Sequence, residues 1–160
     1  VFALIIAIDK YQHDAIPNLH GCVNDGEYFQ RFLKDSLHVP SSNILRLVNE
    51  SATRDNILSA FDGYLINNER IGRDDLVFVF YAGYGDRIDA PADWPERKKV
   101  ETICPYDQSA FEGLVSPKCR PIYGIPDRTF NALMDQLAEK KGNNLVCTIS
   151  LSAAGIIFKL

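Results

Sequence analysis

The sequence predicts an α/β domain built on a parallel sheet with helices on both faces. Two observations carry that prediction. Four short apolar runs, residues 2–8, 44–48, 76–80 and 145–149, read as strands, and the first and third are unbroken, as in strands covered on both sides. Between them lie stretches whose apolar residues recur every three or four positions, the spacing of an amphipathic helix. Alternating the two patterns gives βα units with right-handed crossovers. The 160 residues suffice for one domain with a substantial core.

Taken in order, the first strand ends at Asp9-Lys10-Tyr11, and a loop containing Pro17-Asn18 follows. A helix is expected from about Cys22, with Cys22, Gly26, Phe29 and Leu33 on its core face. Phe32 and Leu37 are expected to widen that stripe, and Pro40 closes the segment. After the strand at 44–48, Ser51 or Thr53 is the candidate N-cap of a second helix whose core face is Ile57, Phe61, Tyr64 and Leu65. The central strand at 76–80 runs into Tyr81-Ala82-Gly83-Tyr84-Gly85-Asp86. Two glycines bracket a tyrosine there, and the expectation is a tight turn that holds Tyr84 out at a site-forming edge.

Residues 86–126 break the rhythm. Six of the eight prolines, the single Trp94 and the run Arg97-Lys98-Lys99 fall there, so no long element is expected. Residues 101–107 could add a small strand or hairpin. A connection this long is functional, mobile or a surface excursion without a role, and the basic run reads as a solvated face. Asp127 is expected to cap a third helix with the stripe Phe130, Leu133, Met134 and Leu137. Lys140-Lys141-Gly142 would end it. The last strand, 145–149, runs into the small residues of Ser150-Leu151-Ser152-Ala153-Ala154-Gly155.

Composition narrows the function classes. A net charge of −4 and a pI near 5.3 give no support to nucleic-acid or anionic-membrane binding. No apolar run approaches the ~18 residues that span a bilayer. No basic region precedes the apolar start, so a strand is preferred there to a signal peptide, and a cytoplasmic location is expected. Cys22, Cys104, Cys119 and Cys147 form no Cys-x-x-Cys pair, and His13, His20 and His38 do not complete a zinc spacing. Reduced thiols are expected. The chain begins inside a strand pattern and ends in the apolar Ile156-Ile157-Phe158-Lys159-Leu160. Both ends read as cut, so a piece of a longer protein is expected.

Open α/β sheets place their sites at the carboxyl ends of the strands. Those ends carry Asp9 and Lys10, Tyr84 with Gly85-Asp86, and Ser150 with Ser152. Residues 82–85 lack the full Gly-rich dinucleotide fingerprint and the Walker lysine, and no helix follows promptly. Nucleotide binding therefore stands as a remote alternative. Ser152 lies in no Gly-x-Ser-x-Gly elbow, and no histidine sits at a strand end. From the residues alone the site has a shape but no acid–base pair.

Several stretches resemble a known family. They are Phe2-Ala3-Leu4-Ile5-Ile6-Ala7-Ile8-Asp9-Lys10-Tyr11, Leu19-His20-Gly21-Cys22-Val23-Asn24-Asp25, Ala52-Thr53-Arg54-Asp55-Asn56-Ile57, Phe78-Val79-Phe80-Tyr81-Ala82-Gly83-Tyr84-Gly85-Asp86 and Glu101-Thr102-Ile103-Cys104-Pro105-Tyr106-Asp107. In order and spacing, over residues 1 to about 144, they resemble the large-subunit region of caspase-like cysteine peptidases, particularly the metacaspase type common in fungi. The resemblance implies a caspase-like three-layer α/β/α sandwich with a mainly parallel sheet. It would be a single domain over 1–160, truncated after the fourth core strand.

In that family a histidine in a Tyr-Ala/Ser-Gly-His-Gly turn activates a cysteine in an Asp-x-Cys-His-Ser-Gly turn, and backbone N–H groups steady the oxyanion. Here Tyr84 holds the histidine position. Registering on Gly155 puts Ser152 at the nucleophile and Ser150 at the preceding aspartate. A phenol, with an ordinary pKa of about 10, is a poor general base, and a serine is harder to activate than a cysteine. The resemblance thus implies a domain of an Arg/Lys-directed endopeptidase family that is itself inactive. The alternative is a fragment or misjoined product of an active metacaspase.

The resemblance also implies a substrate pocket. Asp25 retains one of its acids, although it reads equally well as a solvated helix acid. Cys22 matches a lining position, and at Ser150 a charge is gone. Asp107 and Asp127 match two members of a calcium-binding cluster, but Arg128 replaces a neighbouring acid and would repel the ion. No cofactor and no metal are expected. The expected partner is a peptide or protein, and an exposed last strand would leave self-association open.

Overall fold

The computed structural model describes residues 1–14, 16–89, 99–109 and 121–152, with Ser152 described by its backbone alone. Trp94, Arg97-Lys98, Cys119 and the register on Gly155 lie outside the described residues. The chain runs β1 (Phe2–Ala7), α1 (Cys22–Asp35), β2 (Ile44–Val48), α2 (Arg54–Ser59), β3 (Val77–Asp89), β4 (Lys99–Ile103), β5 (Ile125–Pro126), α3 (Asp127–Lys141) and β6 (Leu145–Ser152). A π-helical turn, Ala60–Ile66, continues α2.

The strands form one sheet in the order β2-β1-β3-β4-β5, with β6 also paired to β3. The ladders β1–β2, β1–β3 and β3–β6 are parallel, and β3–β4 and β4–β5 are antiparallel. The sheet is therefore mixed, its parallel part joined by an antiparallel one. The cause is the length of β3, whose 13 residues outrun both neighbours. Its extension, Gly85 to Asp89, pairs with the returning β4. This also corrects the tight turn expected at Tyr84, which instead lies within a continuous strand. Neither flanking glycine takes a positive φ; among the described residues only Gly142 does so as a glycine, at 91°.

Every residue of β1 is buried, which explains its unbroken apolar run. Leu4 and Ile6 face one core with Ile57, Phe61, Leu65, Phe130 and Leu137. Ala3 and Ile5 face another with Cys22, Leu33, Phe80 and Ala82. Each fully buried Leu or Ile contributes about 1.5–3 kcal/mol, so both faces of β1 drive folding.

On the second face α1 lies close to the sheet because Gly26 has no side chain. A Cβ there would come 2.9 Å from the Ala7 Cβ. Phe29 stacks on Phe80 with ring centroids 4.9 Å apart. Phe32 and Leu37 do not widen the buried stripe; they are 48% and 41% exposed. The helix packs chiefly on β1 and β3, and the core of this face takes in Leu33 and Phe29 but not Phe32 or Leu37.

Thr53 caps α2, its hydroxyl accepting the Asn56 N–H at 3.2 Å. The wider π turn brings Leu65 and Ile66 together into the core, while Tyr64 is only partly buried. Asp127 does not cap α3. It is the first helical residue, and the cap position belongs to Pro126, held extended by its pairing with Thr102. Gly142 ends α3 as expected, its N–H reaching the Ala138 oxygen at 2.8 Å.

Candidate functional site

The carboxyl ends of β1 and β6 flank the middle of β3 at one edge of the sheet, in the register Ala7–Ala82–Ser150. Asp9 organises this edge. Its carboxylate accepts the N–H groups of Gly21 (3.1 Å), Cys22 (2.8 Å) and Val23 (3.2 Å), the free donors of the first turn of α1. The positive end of the helix dipole favours that negative charge. Asn49, at φ 45°, accepts the backbone N–H groups of Asp9 and Lys10 at 2.9 and 3.0 Å. The strand end and the helix start are thus fixed to each other by side chains, so Asp9 is committed to architecture.

Tyr84 is held as firmly through its backbone. Its N–H donates to the Tyr11 hydroxyl at 2.8 Å, and its carbonyl accepts from the Tyr81 hydroxyl at 2.7 Å and the Cys104 N–H at 2.9 Å. Its half-buried ring packs on Tyr11 with centroids 5.4 Å apart. Burial pushes the Tyr11 and Tyr81 phenols well above the ordinary tyrosine pKa, so both stay protonated. The glycine before Tyr84 makes room for them. A Cβ on Gly83 would sit 2.7 Å from the Tyr81 hydroxyl and 3.0 Å from that of Tyr11. On Gly85 it would press on Leu151 of β6 at 3.2 Å. Close approach, rather than a turn, is what these glycines serve.

Across the β3–β6 ladder the register partner of Tyr84 is Ser152. Neighbouring strands lie about 4.8 Å apart, so the fold brings the backbones of these two predicted positions together. Ser150, exposed, pairs with Ala82. Asp25 is exposed in the first turn of α1, while Cys22 is buried beneath it. Cys22 packs in the same core cluster as Ala82, the register partner of Ser150, so it is core rather than an open lining.

None of the described thiols is activated. Burial, then the charges of Asp9 and Asp25, pushes Cys22 up to about 12. Burial alone takes Cys147 to about 11. Cys104 is raised by burial and then by Asp86. A nucleophilic cysteine needs the opposite shift. Of the histidines, His20 and His38 are exposed in loops and His13 is half-buried in the loop after β1; none lies in β3 or β6.

A cavity of about 640 Å³ opens elsewhere, lined by Arg54, Asp55, Asp107, Pro121, Ile122 and Tyr123. Asp107 accepts the Arg54 N–H at 2.8 Å and so anchors the start of α2. Asp127 accepts the adjacent Arg128 N–H at 2.6 Å. Among the described residues, no three His, Cys, Asp or Glu side chains gather where a metal could sit. The two acids matched to a calcium cluster each accept a backbone N–H, Asp107 that of Arg54 and Asp127 that of Arg128.

The profile of the Caspase domain family matches residues 1–141. The chain belongs to the caspase-domain family. The crystal structure of protein GSU0716 from Geobacter sulfurreducens is similar in fold, with a TM-score of 0.63 at 16% identity. The match covers 92% of this chain and 48% of that one, so the chain spans about half the length of the matched structure. No curated protein matches it. In this caspase domain sequence reasoning missed Tyr11, Tyr81 and Asn49 as the groups that fix the edge. The signal for the first two lay in Gly83, whose missing side chain leaves space for two phenols. Among the described residues no helix is long and apolar enough to cross a membrane.

Proposed function

We propose that this is a metacaspase-type caspase domain that keeps the peptidase scaffold and has lost its chemistry. The observation that carries the reading is the register pair Tyr84–Ser152. In the family that the chain resembles, a histidine and a cysteine would stand there, and these residues supply neither the base nor the thiol. The raised pKa values of Cys22, Cys104 and Cys147 support it, since no described thiol is poised to substitute. What remains is recognition. Asp25 stands exposed at the edge and could take an Arg or Lys side chain, with Ser150 contributing no second charge. The domain would then bind peptides or proteins without cutting them, in the cytoplasm.

A peptidyl electrophile with Arg at the reactive position tests this, because it alkylates an activated peptidase thiol. The mass of the protein should remain unchanged; rapid single-site labelling would overturn the reading. A second reading, a piece of an active metacaspase, is favoured by one fact: the family match stops at residue 141, before Ser150 and Ser152. Transcript sequence encoding Asp-Cys-Cys-His-Ser-Gly after that point would support it.

A further inference from the structure

The cavity beside Arg54 is built from three stretches far apart in the chain: the start of α2, the segment after β4 and the segment before β5. Asp107 ties the first two together by accepting the Arg54 N–H at 2.8 Å. Ser109 and Ile122 tie the last two reciprocally. The Ser109 N–H donates to the Ile122 oxygen at 2.9 Å, and the Ile122 N–H donates to the Ser109 hydroxyl at 3.0 Å. Gly124 lets this wall come close, since a Cβ there would sit 2.6 Å from the Thr102 hydroxyl. The walls are thus fixed by the protein's own bonds. Arg54 is half-buried, yet among the described residues it forms no ion pair, although two carboxylates line the same cavity. Asp107 is turned to the Arg54 backbone instead, and Asp55 is exposed. A guanidinium drawn partly out of water without a partner is a ready binding group for a carboxylate. Pro121, Ile122 and the 49% exposed Tyr123 add an apolar and aromatic wall.

We propose that this cavity binds a small zwitterion with an apolar body, the chemistry shared by a free amino acid with a large side chain and a short peptide. The carboxylate pairs with Arg54, the ammonium group lies against Asp55 and Asp107, and the apolar body covers Tyr123 and Ile122. The charges select this class. Arg54 against Asp55 and Asp107 leaves the lining with an excess of negative charge. That excess repels a phosphate dianion and weakens the hold on a simple carboxylate, whereas an ammonium group on the same molecule offsets it. Cavities of about 300–1,000 Å³ accept small ligands, and the 640 Å³ here has room for either source. This inference does not depend on the loss of peptidase chemistry, because it uses neither Tyr84 nor Ser152.

Calorimetric titration of the full chain with L-phenylalanine, leucyl-phenylalanine, L-phenylalaninamide and hydrocinnamate tests it. The first two should bind. The amide lacks the carboxylate and hydrocinnamate lacks the ammonium group, so each should bind at least about tenfold more weakly than L-phenylalanine. The tighter of the first two identifies the source, a free amino acid or a peptide. Arg54→Gln should lower the affinity for L-phenylalanine about tenfold and erase its advantage over the amide. Asp55→Asn, at an exposed position, should narrow its advantage over hydrocinnamate. The ligand series on the unaltered chain decides the matter even where a substitution disturbs the fold. Failure of both zwitterions to bind, an analogue that binds as tightly as L-phenylalanine, or an unchanged affinity in folded Arg54→Gln would overturn the proposal.

Discussion

Tyr84 and Ser152 are register partners, the last pair of the parallel β3–β6 ladder. The pairing makes the proposed correspondence to a histidine and a cysteine chemically testable. In Ser152→Cys the new thiol should react with iodoacetamide like an ordinary cysteine. Adding Tyr84→His should lower its pKa and raise its reactivity near neutral pH about tenfold. Equal rates in the single and double variants would separate the two positions.

Gly83→Ala should destabilise the fold by about 1–3 kcal/mol, because its Cβ would intrude on two phenol hydroxyls. Tyr81→Phe removes the nearer hydroxyl, so the double variant should lose less than the sum of the single ones. Urea midpoints of the four proteins decide it; strict additivity would place the clash elsewhere.

Asp9→Asn removes the charge that caps α1 from across the edge. A loss of about 1–2 kcal/mol is expected in chemical denaturation. The same change removes a charge that raises Cys22, so the Cys22 thiolate should form at lower pH, read by its absorbance near 240 nm in a Cys104→Ser, Cys119→Ser, Cys147→Ser background (about 240 nm is the ordinary thiolate band). An unchanged titration would deny the contact.

Cys147 rises from an ordinary 9.0 to about 11 and Cys22 from 9.0 to about 12. The folded chain holds these protons more tightly than the unfolded one. Their contribution to stability is complete below about pH 9 and is lost as pH climbs toward 11 and 12. Tyr11 and Tyr81, also raised, act in the same direction. Urea midpoints should therefore fall from about pH 9 to 11; a rise would contradict the assignment.

Much of the fold was legible because burial on both faces leaves a plain trace. The runs at 44–48 and 2–8 matched β2 and β1 closely, and Thr53 and Gly142 announced their helix ends. Gly83 and Gly85 misled because a missing side chain signals either a turn or a close neighbour, and only the positions of Tyr11, Tyr81 and Leu151 distinguish the two. Phe32 and Leu37 misled because helical periodicity reports an apolar face without reporting how wide a surface covers it. At the site, the sequence displayed Tyr84, Ser150, Ser152, Cys22 and Asp25. It did not display the hydrogen bonds from Tyr11, Tyr81 and Asn49, which join residues far apart in the chain.

Turnover of peptides cleaved after Arg or Lys, assayed with and without calcium, tests the loss of chemistry most directly. No hydrolysis above that of a Ser152→Ala control is predicted in either condition. Robust cleavage abolished by Ser152→Ala would contradict it.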